Sequence, residues 1–164
     1  MDKFNIPHNL YGFSLSGMTI KILWRLKPLS MCYNVWLNNI DHYLDILIHD
    51  QPKYILGLDT QRETDHNDIT IECLANNQFR NTPIETDLEI TKTISLNPFI
   101  KQTNQAILVS TPEDSLCNLV SWRIGRLIEQ GTLQSQYTLL YIPPILRWKA
   151  TDIIEALLKS SISI

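Results

Sequence analysis

The clearest pattern of apolar and polar residues in the chain lies between Ala106 and Gly131. Ala106 to Val109 form a compact apolar run that predicts a buried strand, and the Ser, Thr and Pro that follow predict a turn. Beyond Cys117 the apolar residues recur at helical spacing until Gly131. The sequence therefore predicts a strand, a turn and a helix, with Cys117 at the start of the helix.

The remaining apolar patterns predict further strands and helices on both sides of this unit. Alternating or short apolar runs predict strands at Thr19 to Leu26, Lys53 to Gly57, Asp68 to Leu74 and Tyr137 to Ile142, with a weaker strand within Leu88 to Ile94. Helical spacing predicts helices at Cys32 to Asp50 and Thr151 to Lys159. Residues 1–18 and most of residues 76–105 are predicted to be irregular, apart from a short strand near Tyr11 to Leu15. Alternating helices and strands indicate an α/β fold with a partly parallel sheet, in a single domain over residues 1–164.

The composition fits a compact globular protein and narrows the classes of partner. The 164 residues are 44% apolar and carry a formal net charge of −3, which suits one domain with a sizeable core. Lys and Arg are scattered singly along the chain, so we expect neither nucleic acid nor a membrane as a partner. No apolar stretch has the length or pattern of a membrane span or a secretory signal.

Cys32, Cys73 and Cys117 are too widely spaced to suggest a disulfide framework or a zinc site. We therefore expect a cytoplasmic location and no metal or cofactor.

Cys117 is the residue whose position suggests chemistry. Unpaired backbone N–H groups and the helix dipole at a helix N-terminus favour a thiolate over a thiol, which would make the sulfur a nucleophile. The alternative is that Cys117 is a small buried apolar residue of the helix. The local pattern leaves both interpretations open.

The ends of the predicted strands are expected to form the ligand crevice. In an open α/β sheet, ligands bind in loops at the carboxyl ends of the strands. The loop after Gly57, the end of the strand that carries Glu72, the turn before Cys117 and the end of the strand that carries Tyr141 could all meet there. This arrangement would bring a thiol and a carboxylate together.

Four segments, taken in chain order, resemble motifs of the pyroglutamyl peptidases. Gly57 to Arg62 resembles their Gly-Gln-Ala-Gly-Gly-Arg loop, and Ile69 to Asn77 resembles their Ile-Thr-x-Glu-Arg-x-Ala-x-Asn segment. Val109 to Asn118 resembles Val-Ser-x-x-Ala-Gly-x-x-Val-Cys-Asn, and Leu140 to Pro143 falls where that family has Ile-His-Ile-Pro. The order and spacing of the segments make the resemblance more specific than any single motif.

The resemblance implies a fold, an activity and a set of site residues. It implies a three-layer α/β/α sandwich with a mixed, largely parallel sheet. The implied activity is that of a cytosolic cysteine exopeptidase, which removes pyroglutamate from the blocked N-terminus of a peptide substrate. Carried over by position, Cys117 is the nucleophile, Glu72 is the carboxylate of the catalytic triad, and Tyr141 stands at the histidine position. The residues that would contact the substrate are Leu58, Arg62, Asn77 and Arg80.

Departures from the family pattern bear on activity. Tyr141 cannot replace an imidazole as a proton shuttle, because the reference pKa of a phenol is about 10 and that of histidine about 6.5. Leu58 stands where the family has the glutamine that contacts the lactam. His66, in the loop before the Glu72 strand, could supply the missing imidazole or could be a solvated loop residue.

The sequence leaves two functions open. One is a cysteine hydrolase with weak or lost turnover, and the other is an inactive homologue that acts as a binding or scaffolding module.

The first strand of the family's sheet, with its Gly-Phe-x-Pro-Phe-Gly turn, has no clear counterpart in residues 1–18. Tyr11-Gly12-Phe13 is at most a remnant of it. We therefore expect an N-terminally shortened sheet, in which Thr19 to Leu26 or Lys53 to Gly57 exposes unpaired backbone groups. This predicts either a homo-oligomer that associates through that edge or fraying of residues 1–18.

Overall fold

A computed structural model describes residues 9–61, 67–110 and 115–162. The strands of this part of the chain are, in order, β1 (Leu10–Ser14), β2 (Met31–Asn34), β3 (Tyr54–Thr60), β4 (Ile69–Glu72), β5 (Leu74–Asn76), β6 (Thr93–Ser95), β7 (Ala106–Val109) and β8 (Gln136–Ile142). The helices are α1 (Gly17–Arg25), α2 (Ile40–Asp50), α3 (Leu116–Glu129) and α4 (Ala150–Ser161), with a short 3₁₀ helix at Pro144–Leu146. Among these helices none is long and apolar enough to cross a membrane.

Six of the strands form one sheet in the order β2-β1-β3-β8-β4-β7. Neighbouring strands are parallel except β4 and β8, which are antiparallel. The strands β4 and β7 therefore run opposite to the other four. The strands β5 and β6 form a separate antiparallel pair that packs beside α3. The prediction of an α/β fold with a mixed, largely parallel sheet is confirmed.

Two apolar cores cover the two faces of the sheet. One core joins the sheet to α1 and α4 and includes the fully buried Leu23 and Ile154. The other core joins the opposite face to α2 and α3 and includes the fully buried Leu47 and Trp122. Because successive side chains of a strand point to opposite faces, the inner strands contribute to both cores. The result is the predicted three-layer α/β/α sandwich.

The strand and helix predicted on either side of the turn before Cys117 are confirmed. The strand β7 covers Ala106–Val109. The helix α3 begins after the N-cap residue Ser115, whose hydroxyl accepts a hydrogen bond from the backbone N–H of Asn118. The helix ends just before Gly131, whose φ of +78° is a conformation that glycine adopts without steric cost. Residues 111–114, which hold part of the predicted turn, lie outside the described residues.

The predicted strand at Thr19 to Leu26 is wrong, because this segment belongs to helix α1. The side chain of Ser16 caps the helix by accepting a hydrogen bond from the backbone N–H of Thr19. The buried Ile20 and Leu23 have helical spacing, and the alternating run that suggested a strand is equally compatible with that helix face.

The predicted helix from Cys32 to Asp50 begins too early. Its first residues form strand β2, and helix α2 begins only at Ile40. The side chain of Asn39 makes the turn between them. Its amide group donates a hydrogen bond to the carbonyl of Asn34 at 3.0 Å and accepts one from the backbone N–H of Trp36 at 2.8 Å.

The first strand of the sheet, which the sequence interpretation considered missing, is present. The strand β1 lies between β2 and β3, is parallel to both, and is buried over all five residues. A strand buried on both faces shows no alternation, which explains why the pattern was missed. The strand β3 is therefore paired on both sides, by β1 and β8, and the expected unpaired edge there is wrong. The short strand expected near Tyr11 to Leu15 is present one residue earlier, as β1. The irregular conformation expected around it is wrong at residues 17 and 18, which begin α1, and residues 1–8 lie outside the described part.

Candidate active site

Cys117 lies in the first turn of α3, where it is only 7% exposed. Its thiol donates a hydrogen bond to Oδ2 of Asp59, with 2.8 Å between sulfur and oxygen. The hydroxyl of Ser115 donates a longer hydrogen bond, of 3.5 Å, to the same sulfur. The thiol proton is therefore held by a carboxylate from β3.

The surroundings of Cys117 favour the thiol over the thiolate. Burial contributes most to raising its pKa, and the negative charge and hydrogen bond of Asp59 raise it further, to about 12. Hydrogen bonds from Ser115 and Tyr141 act in the opposite direction and do not outweigh these effects. The lowering of the Cys117 pKa that a helix N-terminus favours is outweighed here, because burial disfavours the charged form and the neighbouring carboxylate opposes a second negative charge.

Asp59 is the site residue that the sequence interpretation missed. It lies on β3, directly opposite Tyr141 of β8. Its Oδ1 accepts a hydrogen bond from the backbone N–H of Thr60 at 2.8 Å, and its Oδ2 accepts the thiol proton of Cys117. The available signal was a single acidic residue near the carboxyl end of a buried strand, a position where α/β folds place ligand-binding side chains.

Tyr141 is the second polar side chain that contacts Cys117 from the sheet. It is half-buried on β8, and it lies close enough to the Cys117 thiol for each group to affect the pKa of the other. Burial raises the pKa of Tyr141 well above its usual value, and the neighbouring Cys117 and Glu72 raise it further. The phenol therefore stays protonated at neutral pH and cannot remove the thiol proton as an imidazole would.

Glu72 lies at the end of β4 and is 2% exposed. Its Oε1 accepts hydrogen bonds from the backbone N–H groups of Cys73 and Leu74, at 3.1 and 3.2 Å. The register places Thr70 opposite Tyr141, and Glu72 lies two residues further along the same face. The carboxylate is close enough to help raise the pKa of Tyr141.

The expected meeting of all strand ends at one edge is wrong, because β4 is antiparallel to β8. The strand β4 therefore runs away from the carboxyl ends of β3 and β8, and its last residue, Glu72, lies beside the middle of β8. Glu72 approaches Tyr141 through their shared face of the sheet instead. The three residues that the family resemblance assigned to catalysis are thus linked in space through Tyr141.

Asn118, the residue after Cys117, ties α3 to the segment that follows Glu72. Its Oδ1 accepts a hydrogen bond from the backbone N–H of Asn76 at 2.9 Å. Its Nδ2 donates to the carbonyls of Asn76 and Gln78 at 3.0 and 2.8 Å. This buried amide pairs with the backbone as a neighbouring strand would, and it holds the first turn of α3 against β5.

Leu58 and Arg62 are the first two predicted substrate contacts, and of these only Leu58, on β3, lies in the described part of the chain. Leu58 is fully buried in the core that joins the sheet to α1 and α4, on the opposite face from Cys117. Its side chain therefore does not reach the thiol. Arg62 lies outside the described residues, and its role in binding stays a prediction.

The other two predicted contacts shape the segment after β5. Asn77 is fully buried, and its side-chain amide binds backbone groups of the following loop, namely those of Glu85, Leu88 and Glu89. Arg80 is exposed, and its guanidinium carbon lies 5.0 Å from the centre of the Phe79 ring. The structure therefore gives Asn77 a place in the architecture of the loop and puts Arg80 on its surface.

Two of the four histidines, His42 and His49, lie in the described part of the chain. Both are exposed on α2, and Nδ1 of His49 is 2.6 Å from Oδ1 of Asp50. Neither is among the hydrogen-bond partners of Cys117. His66 lies outside the described residues, so its use as a substitute imidazole stays a prediction. Over residues 9–61, 67–110 and 115–162, no three His, Cys, Asp or Glu side chains form a group that could hold a metal ion.

Solved structures that resemble this chain are pyrrolidone carboxyl peptidases, also called pyroglutamyl peptidases. The enzyme from Thermus thermophilus has 16% identity and a TM-score of 0.67, over 93% of this chain and 96% of that chain. The enzyme from Thermococcus litoralis has 14% identity and a TM-score of 0.69, over 93% and 91%. Pyroglutamyl peptidase I from Bacillus amyloliquefaciens has 15% identity and a TM-score of 0.69, over 93% and 92%. No protein-family model and no curated protein sequence matches the chain. The chain thus has the fold of the pyrrolidone carboxyl peptidases.

Proposed function

We propose that this protein is a divergent cysteine hydrolase of the pyroglutamyl-peptidase type whose turnover is weak or lost. The shared fold, the ordered motif resemblance and the position of Cys117 in the first turn of α3 support this descent. The observation that carries the loss of turnover is the carboxylate of Asp59, 2.8 Å from the Cys117 sulfur.

Attack on an amide carbonyl requires a thiolate and a group that carries its proton to the leaving amine. Because burial and Asp59 raise the pKa of Cys117 to about 12, the sulfur is almost entirely a thiol at neutral pH. A carboxylate is a much weaker base than a thiolate, so Asp59 holds the thiol proton without removing it. The protonated Tyr141 offers no site for that proton either. The arrangement stabilises the resting thiol and disfavours the first chemical step.

The second candidate function is a module that binds peptides with a blocked N-terminus and does not cleave them. The Cys117–Asp59 hydrogen bond favours this function as well, because it keeps the sulfur neutral beside any bound carbonyl group. We also propose a reducing compartment such as the cytoplasm, since Cys32, Cys73 and Cys117 are all free thiols.

Hydrolysis of a fluorogenic pyroglutamyl amide by the purified chain tests the proposal, with Cys117→Ala as the control. We expect the rate of the native chain to lie close to that of the control. Calorimetric titration with a pyroglutamyl peptide then separates the two candidates, because saturable binding without turnover supports the binding module. Turnover far above the Cys117→Ala rate would contradict the loss of activity and would require a base such as His66.

A further inference from the structure

A separate cavity of about 340 Å³ lies between α1, along its whole length, and the turn that precedes α4. Its floor includes Ile22, which belongs to the core beneath α1 and α4, whereas Cys117 belongs to the core beneath α2 and α3. The cavity is therefore on the other face of the sheet from the candidate active site. The residues that line it include Met18, Lys21, Ile22, Arg25, Arg147 and Trp148.

Three of the residues that line this cavity carry a positive charge. Lys21, Arg25 and Arg147 line it, and no acidic side chain does. In the part of the chain that the structure describes, none of these three cations forms an ion pair with a carboxylate. This is notable in a chain whose net charge is −3. Guanidinium groups present paired donors that match phosphate oxygens, and three cations together match a ligand with more than one negative charge.

Trp148 gives the cavity an aromatic side. The residue is 74% exposed, and the guanidinium carbon of Arg147 lies 4.9 Å from the centre of its ring. A large apolar side chain is more stable when another apolar group covers it than when it is exposed to water. An aromatic ligand ring could cover the indole by stacking, as bases do on exposed aromatic side chains.

We propose that this cavity binds a small phosphate-bearing molecule with an aromatic ring, as a nucleotide has. The phosphate groups contact Lys21, Arg25 and Arg147, and the ring stacks on Trp148. The cavity volume falls at the lower end of the range of about 300 to 1,000 Å³ that small-molecule sites occupy. Exposed tryptophan beside cations is also typical of proteins that lie on anionic lipid. The site is concave, which suits a small molecule better than a lipid surface.

Calorimetric titration of the purified full chain with ATP, inorganic tripolyphosphate and adenosine tests the proposal. We expect saturable binding of ATP, weaker binding of tripolyphosphate and no measurable binding of adenosine. Arg147→Ala is expected to weaken ATP binding about tenfold or more, a loss equivalent to about 1.4 kcal/mol. Trp148→Ala is expected to weaken binding of ATP but not that of tripolyphosphate. Both side chains are exposed, so the variants should keep the fold.

Lys92→Ala is the matched control, since it also removes one positive charge from an exposed position but lies outside the cavity. It should leave ATP binding unchanged. No saturable ATP binding by the native chain would overturn the proposal, as would an equal loss in Lys92→Ala and Arg147→Ala. Equal affinity for ATP and tripolyphosphate, insensitive to Trp148→Ala, would exclude the aromatic part of the ligand. Binding to phosphatidylserine vesicles without binding of ATP would assign these residues to a lipid surface instead.

Discussion

The hydrogen bond from Cys117 to Asp59 gives the most direct prediction, through the substitution Asp59→Asn. The amide oxygen can still accept the backbone N–H of Thr60, as Oδ1 of Asp59 does. The amide nitrogen then faces the sulfur, where it donates a hydrogen bond to a thiolate and no longer repels it. We expect the Cys117 pKa to fall, because the substitution removes a negative charge and adds a donor to the ionised form.

The size of this fall follows from electrostatics and burial. Two unit charges about 4 Å apart interact by about 4 kcal/mol at an effective dielectric constant of about 20, which corresponds to about three pKa units. The pKa of Cys117 is raised in total only from 9.0 to about 12, and burial, which persists in the variant, is the largest cause, so Asp59 accounts for only part of that rise. We therefore expect a net fall of about one to two pKa units, or a thiolate fraction about 10 to 100 times larger near neutral pH.

The assay is alkylation by iodoacetamide across a range of pH, with each modified cysteine identified by peptide mapping. In the native chain Cys117 should react more slowly than the less buried Cys32 and Cys73. In Asp59→Asn the midpoint of the pH profile of Cys117 should move to lower pH. The substitution Asp45→Asn, at an exposed position of α2, is the matched control. An unchanged midpoint in Asp59→Asn, or native Cys117 that reacts faster than both other cysteines, would refute the reasoning.

Three further changes test other contacts of the site and its support. Tyr141→His should restore at most weak hydrolysis of the fluorogenic amide, because Asp59 still holds the thiol proton. The double variant with Asp59→Asn should gain more hydrolytic activity than the sum of the gains of the two single variants. Strictly additive gains would contradict this coupling. Asn118→Ala should lower the free energy of unfolding in urea by about 2 to 4 kcal/mol, since it removes three partly buried hydrogen bonds of a buried amide. An unchanged transition midpoint would show that Asn118 does not hold α3 against β5. Hydrogen bonding to Arg126 lowers the pKa of Glu85 in the folded protein. The pair therefore stabilises the fold at pH values above the pKa that Glu85 has in the unfolded chain. This stabilisation is lost as the pH falls through the lower pKa that Glu85 has in the folded protein. Glu85→Gln should therefore flatten the acid side of the Tm profile, and superimposable native and variant profiles would argue against it.

The sequence pointed to Cys117, Glu72 and Tyr141 but not to Asp59, and it could not predict how the thiol is protonated. Cys117, Glu72 and Tyr141 were selected from strand ends, a helix start and the order of motifs, and the structure links them through Tyr141. The acidity of the thiol depends on burial and on Asp59, which is 58 residues away in the chain. A local pattern cannot report a contact between such distant residues.

Misassigned segments of the fold have physical explanations of the same kind. The residues of α1 satisfy both a strand and a helix pattern, and the cap at Ser16 decides between them. The strand β1 is buried on both faces and so lacks the alternation that marks a half-buried strand. Asn77 resembles a family residue in sequence, yet its amide is occupied by the backbone of its own loop.

The place of β8 in the sheet has a consequence for the order in which the chain can fold. It lies between β3 and β4, although both precede it by many residues. While the chain is being synthesised, β3 and β4 have unmet backbone donors and acceptors along the edges that β8 later occupies. Such long-range pairing forms slowly and leaves apolar strand residues open to other chains, among them Leu58 and Ile71. The nascent protein is therefore expected to be most prone to aggregation just before Gln136–Ile142 leaves the ribosome.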